Sequence, residues 1–350
     1  MRAVWIDGHG GLDVLRVGER PRPVIGPDDV LVRVRACALN HLDIWVREGL
    51  PGLKVDFPHI LGSDAAGVIE EIGDNVRGWV VGQPVLAAPG LSCGTCVYCQ
   101  GGDDHLCDAY DILGQRSQGA YAEFVRVPAA NLFPIPAPLT FEEAASLPLV
   151  FLTAWQMLVV NGDLRAGQTV LVHAGGSGVG IAAIQIAKAH GARVLTTVGS
   201  IEKAERAQAL GADAVVFYRD TDFATRVQKE TGGRGVDLVV EHIGQATFEK
   251  SLQCLTKGGR LLTCGATSGR QVQFDLRQLF GRNLTVRGSR MGRRDGLGAV
   301  LEGATVIHPK TIQPLQSKNI PLYVKSFVNP GEAGTEVSNA EHELIHVPVY

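Results

Sequence analysis

The chain has 350 residues and a net charge of -3, from 33 Lys+Arg against 36 Asp+Glu. That length suits about two domains, and the charge balance offers no basic surplus for a nucleic-acid backbone. With 45% hydrophobic and 20% charged residues, the composition is that of a packed globular chain and excludes large-scale disorder.

The chain opens Met1-Arg2-Ala3-Val4-Trp5-Ile6-Asp7-Gly8. No apolar signal core is present there, and a soluble cytoplasmic protein is expected. The first 130 residues read as β structure. Residues 30–36 (VLVRVRA) alternate as a strand does, and 65–72 (AAGVIEEI) form a second candidate. Turn residues punctuate them at Gly26-Pro27-Asp28-Asp29, Gly73-Asp74-Asn75 and Gly82-Gln83-Pro84.

Cys93, Cys96, Cys99 and Cys107 follow, in a C-x2-C-x2-C-x7-C spacing. Zn²⁺ favours four thiolates in a tetrahedron, and a short loop can supply them. Cysteine fills all four positions, so no ligand site is left open and the metal is expected to be structural, one zinc per chain. Gly90, Gly94, Gly101 and Gly102 let the loop wrap tightly. Cys254 and Cys264 read as packing residues.

Pro134, Pro136 and Pro138 mark a boundary, and a helix is predicted after them. Thr140 is its N-cap, with Glu143 three residues on as the partner in a capping box. The most apolar stretch, 144–160, is interrupted by Ser146, Pro148, Thr153 and Gln156. It falls short of the ~20 apolar residues a bilayer requires.

From Gln168 the pattern changes. Strands are predicted over 169–173, 193–197, 214–217, 237–240, 260–264 and 284–288. Helices are predicted over 178–190, 202–210, 222–231 and 246–255. This series implies a parallel sheet with helices on both faces. The turn after its first strand reads His173-Ala174-Gly175-Gly176-Ser177-Gly178-Val179-Gly180. Small residues between a strand and a helix let backbone N–H groups approach a diphosphate, and the helix N-terminus adds positive charge. Ser177 stands where a strict G-x-G-x-x-G would carry its second glycine. An NAD site expects an acidic residue at the end of the second strand. Here Gly199 and Ser200 stand there, followed by Lys203, with Tyr218 after the third strand. A hydroxyl and an ammonium suit a 2′-phosphate, which predicts NADPH.

Together these features resemble the medium-chain dehydrogenase/reductase superfamily, which includes zinc alcohol dehydrogenases and quinone reductases. The resemblance spans about residues 1–295 and includes four further segments. They are Ala38-Leu39-Asn40-His41-Leu42-Asp43, His59-Ile60-Leu61-Gly62-Ser63-Asp64-Ala65-Ala66-Gly67, Gly119-Ala120-Tyr121-Ala122-Glu123-Phe124-Val125 and Leu152-Thr153-Ala154-Trp155. It implies an α/β protein with a GroES-like β-barrel catalytic domain and a Rossmann doubly wound parallel sheet. The domains would be 1–130, with a zinc lobe at 90–108, and 131–292, followed by an atypical segment 293–350. It also implies a homodimer or homotetramer, a small-molecule substrate, and Thr153 in the cofactor site.

Where zinc alcohol dehydrogenases of this superfamily carry a catalytic cysteine, this chain has Asn40. Their ligand histidine is replaced by Ser63, their third ligand falls near Val150, and the proton-relay hydroxyl aligns with Leu42. The resemblance therefore leans to the quinone reductase branch, which transfers hydride without a catalytic metal. Ser200, Lys203 and Tyr218 match the NADPH pattern of that branch. Cys37, His59 and Asp64 have the residue types of a displaced zinc site, although Cys37 and Asn40 cannot both take the aligned position. Asn40 is the expected oxyanion donor. Asp43 either orients Asn40 or anchors the local turn. His41 faces either substrate or solvent. Residues 302–338 resemble a segment of aspartate kinases, without a kinase's phosphate-binding or catalytic parts, and no kinase activity is expected.

Overall fold

The computed structural model describes residues 1–304 together with two short strands further on, Leu322–Val324 and Thr335–Val337, which pair antiparallel with each other. The expectation of an aspartate-kinase-like segment otherwise lies outside the described residues.

The amino-terminal part contains strands β1 (Arg2–Ile6), β2 (Leu15–Glu19) and β3 (Asp29–Ala36), helix α1 (His41–Glu48), and strands β4 (His59–Ile60), β5 (Ala66–Ile72), β6 (Pro84–Ala87) and β7 (Gly90–Leu91). After these come the short helix α2 (Val97–Gln100) and strands β8 (Asp111–Ile112), β9 (Phe124–Pro128) and β10 (Leu132–Pro134). One antiparallel sheet has the order β10-β6-β5-β3-β9, and a second has the order β2-β1-β4. Both predicted strands are present within one residue of their expected starts. Val30, Leu31 and Val32 are all buried, so β3 is covered on both faces near its start, and Arg33 and Arg35 alternate out to solvent in its second half. Gly67 lets β5 close on β3, because a Cβ there would collide with the Arg33 carbonyl. The sheet continues past residue 130, since β10 pairs with β6.

Helix α3 (Phe141–Ala145) starts as expected. The Thr140 N–H donates to Glu143 Oε2 at 2.9 Å, and the Glu143 N–H donates to Thr140 Oγ1 at 3.2 Å. Helix α4 (Pro148–Trp155) follows, with proline at a position whose N–H has no helical partner. A π-helical turn, Gln156–Asn161, then leads out of it.

The second part alternates β11 (Thr169–Val172), α5 (Gly178–Ala189), β12 (Arg193–Val198), α6 (Ile201–Ala209), β13 (Ala214–Phe217), α7 (Phe223–Glu230), β14 (Val236–Glu241), α8 (Phe248–Cys254), β15 (Leu255–Thr263), α9 (Leu276–Gly281) and β16 (Thr285–Gly288). All six strands run parallel in the order β13-β12-β11-β14-β15-β16. β11 and β14 are buried along their whole length, as central strands covered on both faces must be. β15 is longer than predicted. Leu255 pairs with Val236, and a register shift then absorbs the Gly258-Gly259 segment before pairing resumes at Arg260.

Helix α10 (Asp295–Ala304) belongs to this same unit. Leu297, Val300 and Leu301 are buried in the core that α4, α5 and the central strands share. The first residues of the segment expected to be atypical, 293–350, thus include a packed helix, α10. Among the described residues, no helix is long and apolar enough to cross a membrane.

Candidate active site

The glycine-rich turn after β11 is built for close approach. A Cβ on Gly175 would collide with the Thr196 hydroxyl, and one on Gly180 with the Ala174 carbonyl. Ala174 itself has φ 46°, the left-handed region that non-glycine residues seldom adopt. Ser177 departs from the glycine pattern for a local reason. It is the N-cap of α5, and its Oγ accepts the Gly180 N–H at 3.0 Å. The first turn of α5 carries no acidic side chain, so its N-terminal partial charge stays available to an anion.

Ser200, Lys203 and Tyr218 converge beside this turn. Ser200 caps α6, its Oγ accepting the Lys203 N–H at 3.4 Å. The Lys203 stem lies over Gly176, where a Cβ would come within 2.9 Å of its Cγ and Cδ. The Tyr218 hydroxyl lies over Gly199, 2.7 Å from where a Cβ would stand. Val179 follows in α5, half-buried. Gly178 packs on Val150, with a Cβ site 2.9 Å from Val150 Cγ1. Val150 is therefore a packing contact. The Thr153 hydroxyl donates to the Leu149 carbonyl of its own helix at 2.7 Å.

Asn40 caps α1 at the end of β3 and is buried. Its two polar ends are held by two different carboxylates. The backbone N–H donates to Asp43 Oδ2 at 2.7 Å, while Nδ2 donates to Asp64 Oδ2 at 2.8 Å. Asp43 also accepts the Tyr121 hydroxyl at 2.6 Å. Asp43 is thus the anchor of the turn, and Asp64 orients the Asn40 side chain. From the sequence Asp64 reads only as a metal ligand, and Tyr121 carries no expected role. Their roles depend on contacts between residues 24 and 78 positions apart in the chain. Asp64 Oδ1 accepts the Leu149 N–H at 2.9 Å, in the first turn of α4. Asp64, Leu149, Val150 and Gly178 therefore connect Asn40 to the start of α5.

Cys37, His59 and Asp64 do not assemble into a metal site. His59 Nε2 lies 3.0 Å from the Gly114 carbonyl, and both Asp64 oxygens are taken. Desolvation by the surrounding chain, and then the carboxyls of Asp43 and Asp64, push the Cys37 thiol up to about 11. His41 packs edge-on against Trp45 of its own helix.

Among the described residues, the one cluster of metal-type ligands is Cys93, Cys96, Cys99 and Cys107, with all sulfurs within 4.8 Å of one another. Cys93 and Cys99 lie 3.9 Å apart, and Cys96 and Cys99 lie 3.5 Å apart. Four Zn–S bonds of ~2.3 Å in a tetrahedron place sulfurs about 3.8 Å apart, so the quartet fits zinc. The backbone N–H groups of Thr95 and Cys96, with the Thr95 hydroxyl, lower the Cys93 thiol, while the Cys107 thiol beside it is raised.

A β lobe with a cysteine quartet, joined to a parallel sheet with a glycine-rich turn between its first strand and helix, is the architecture of two-lobed α/β oxidoreductases. The alcohol dehydrogenase GroES-like domain family matches residues 26–137, and the zinc-binding dehydrogenase family matches residues 178–304, the latter reaching the end of α10. The chain is 30% identical to the human quinone oxidoreductase over 267 residues, which cover 76% of this chain and 73% of that protein. It is 34% identical to an alcohol dehydrogenase of Geobacillus stearothermophilus over 310 residues, 87% of this chain and 90% of that one. Among solved structures, an NAD-dependent alcohol dehydrogenase superposes with a TM-score of 0.84 at 47% identity, covering 89% of this chain and 90% of the other. The chain belongs to the medium-chain dehydrogenase/reductase superfamily and is an oxidoreductase of that kind.

Proposed function

We propose that the protein is an NADPH-dependent reductase that transfers hydride to a quinone, an activated alkene or a carbonyl, with structural zinc and no catalytic zinc. The observation that carries this reading is the Asn40–Asp64 pair. A neutral amide, fixed by a buried carboxylate, stands where the zinc-dependent branch uses a thiolate ligand. Ser63 and Val150 at the other two ligand positions offer no strong donor.

When bound, the dinucleotide supplies the hydride. This chain's residues bind and orient. The turn from Gly175 to Gly180 receives the diphosphate. Ser200, Lys203 and Tyr218 receive the 2′-phosphate, and Thr153 lines the site from α4. One Asn40 Nδ2 hydrogen is held by Asp64. The other is free to donate to the oxygen that gains negative charge as hydride reaches the substrate. The proton that completes the reduction comes from solvent. Cys93, Cys96, Cys99 and Cys107 hold the zinc. A second copy of the chain covers the open sheet edge at β16.

A second reading is alcohol oxidation with NAD, favoured by the likeness to an NAD-dependent alcohol dehydrogenase. A third is a non-catalytic NADPH-binding protein. A turnover panel of quinones, enones, aldehydes and alcohols with NADPH and NADH, on metal-quantified protein, separates them. The first reading expects one zinc per chain, turnover with NADPH, and a kcat loss of about 10²–10³-fold in Asn40→Ala at little cost to cofactor affinity. Two zincs with chelator-sensitive alcohol oxidation would overturn it. So would tight NADPH binding without turnover.

A further inference from the structure

The sheet order reverses between β11 and β14, and the carboxyl ends of these two strands flank the crevice where an open α/β sheet takes its ligand. The glycine-rich turn occupies the β11 side. His242, directly after Glu241 at the end of β14, occupies the other.

His242 Nε2 lies 3.3 Å from Ser177 Oγ. That oxygen already accepts the Gly180 N–H, and the serine's own proton suits Nε2 as acceptor. The ring proton then resides on Nδ1. Nδ1 is buried and has no hydrogen-bond partner among the described residues. Burial, followed by the proximity of His173, lowers the ring's pKa to about 4, so it is neutral at pH 7. Buried donors as a rule find a partner in the protein, in ordered water or in a ligand.

The loop that carries this ring is held from below. Glu241 is fully buried and accepts the Ile243 N–H at 2.7 Å and the Gly244 N–H at 3.1 Å. Ser251 Oγ donates to Glu241 Oε2 at 2.9 Å and lies 2.8 Å from His173 Nε2, at the end of β11. The two strand ends are thereby tied together through buried side chains, and the His242 ring stays beside Ser177.

The proposed 2′-phosphate contacts lie on the β12 and β13 side, and the diphosphate turn follows β11. A dinucleotide crossing the strand ends in that direction next meets β14. We infer that His242 is a cofactor-binding residue, whose Nδ1–H donates to a hydroxyl of the second ribose, next to the diphosphate. This rests on the dinucleotide reading above.

The test compares ligands with and without that ribose on the full-length protein. Affinities for 2′-phospho-ADP-ribose, NADPH and adenosine 2′,5′-bisphosphate are measured by calorimetry for the wild type, His242→Phe, His242→Asn and His242→Gln. An Asn amide nitrogen overlays Nδ1, while a Gln amide nitrogen overlays Nε2. We expect Phe and Gln to weaken 2′-phospho-ADP-ribose and NADPH about 5–20-fold, leave the bisphosphate within about 2-fold, and Asn to stay near wild type. Should the Phe variant fail to fold, the Asn–Gln pair carries the same test. Equal weakening of all three ligands, no weakening of any, or equal loss in Asn and Gln would overturn the inference. A wild type that binds none of the three overturns the dinucleotide reading itself, and the two failures are thereby told apart.

Discussion

Asp64 uses both oxygens, one for the Asn40 amide and one for the first turn of α4, and is 1% exposed. Burial raises its pKa to about 7, against the hydrogen bonds from Asn40 and Leu149 that favour the charged form. In the unfolded chain an aspartate titrates near ~3.9. Between those pH values the folded state holds the extra proton. The contribution to stability is therefore fully present below about pH 4 and is lost as pH rises through 7. At 1.36 kcal/mol per pH unit, the loss approaches about 4 kcal/mol by pH 8. Melting curves of wild type and Asp64→Asn at pH 5 and pH 8 check this. The variant should gain on the wild type by about 5–10 °C between the two. A gap that stays constant with pH would remove Asp64 titration from the account.

The cysteine lobe, from Cys93 to Cys107, acts as an element rather than as four ligands. It grips the segment that leads from β16 into α10. Within the lobe, buried Asp104 accepts the Arg294 N–H at 3.2 Å and Asp103 pairs with Arg293 at 3.8 Å; outside it, Arg290 lies over the Tyr110 ring at 4.6 Å and Arg294 Nη1 donates to Asn131 Oδ1 at 3.4 Å. Asn131 in turn donates to the Ala88 and Gly90 carbonyls. The lobe has little apolar core of its own, since Val97, Tyr98 and Leu106 are exposed. A zinc held by the four cysteines would supply the order that packing does not. Removal of one zinc per chain by a strong chelator should lower the melting temperature by roughly 5–10 °C. Limited proteolysis should then cut at 93–107 and become faster at 290–294. Cuts confined to the lobe would show that its grip on residues 290–294 is independent of the metal.

At the scale of the whole molecule, the six-stranded sheet has an open edge. β16 pairs only with β15 among the described residues, and all four of its residues are exposed. Leu276 and Phe280 of α9 are 63% and 70% exposed close by in sequence. Unpaired strand edges and apolar surface of this kind invite partners. The proposed second copy would extend the sheet across a two-fold axis. Light scattering should give twice the chain mass for the wild type and a shift toward monomer for Val286→Pro, whose ring removes a ladder donor at the edge. A monomeric wild type would defeat the dimer.

Local chemistry was legible in the order of residues. The capping box at Thr140, the zinc spacing, the strand–turn–helix cradle and the parallel sheet all depend on neighbours a few positions apart, or on periodicity. The kinship to a dehydrogenase superfamily followed from motifs of the same short range. Three-dimensional packing decided the rest, because its partners lie far apart in the chain. It assigned Asn40's side chain to Asp64 and its backbone to Asp43, made Ser177 a helix cap, and left no convergence of Cys37, His59 and Asp64. It also brought His242 to the glycine-rich turn across 65 residues. No periodicity encodes such a meeting, since it arises only when β11 and β14 become neighbours in one sheet.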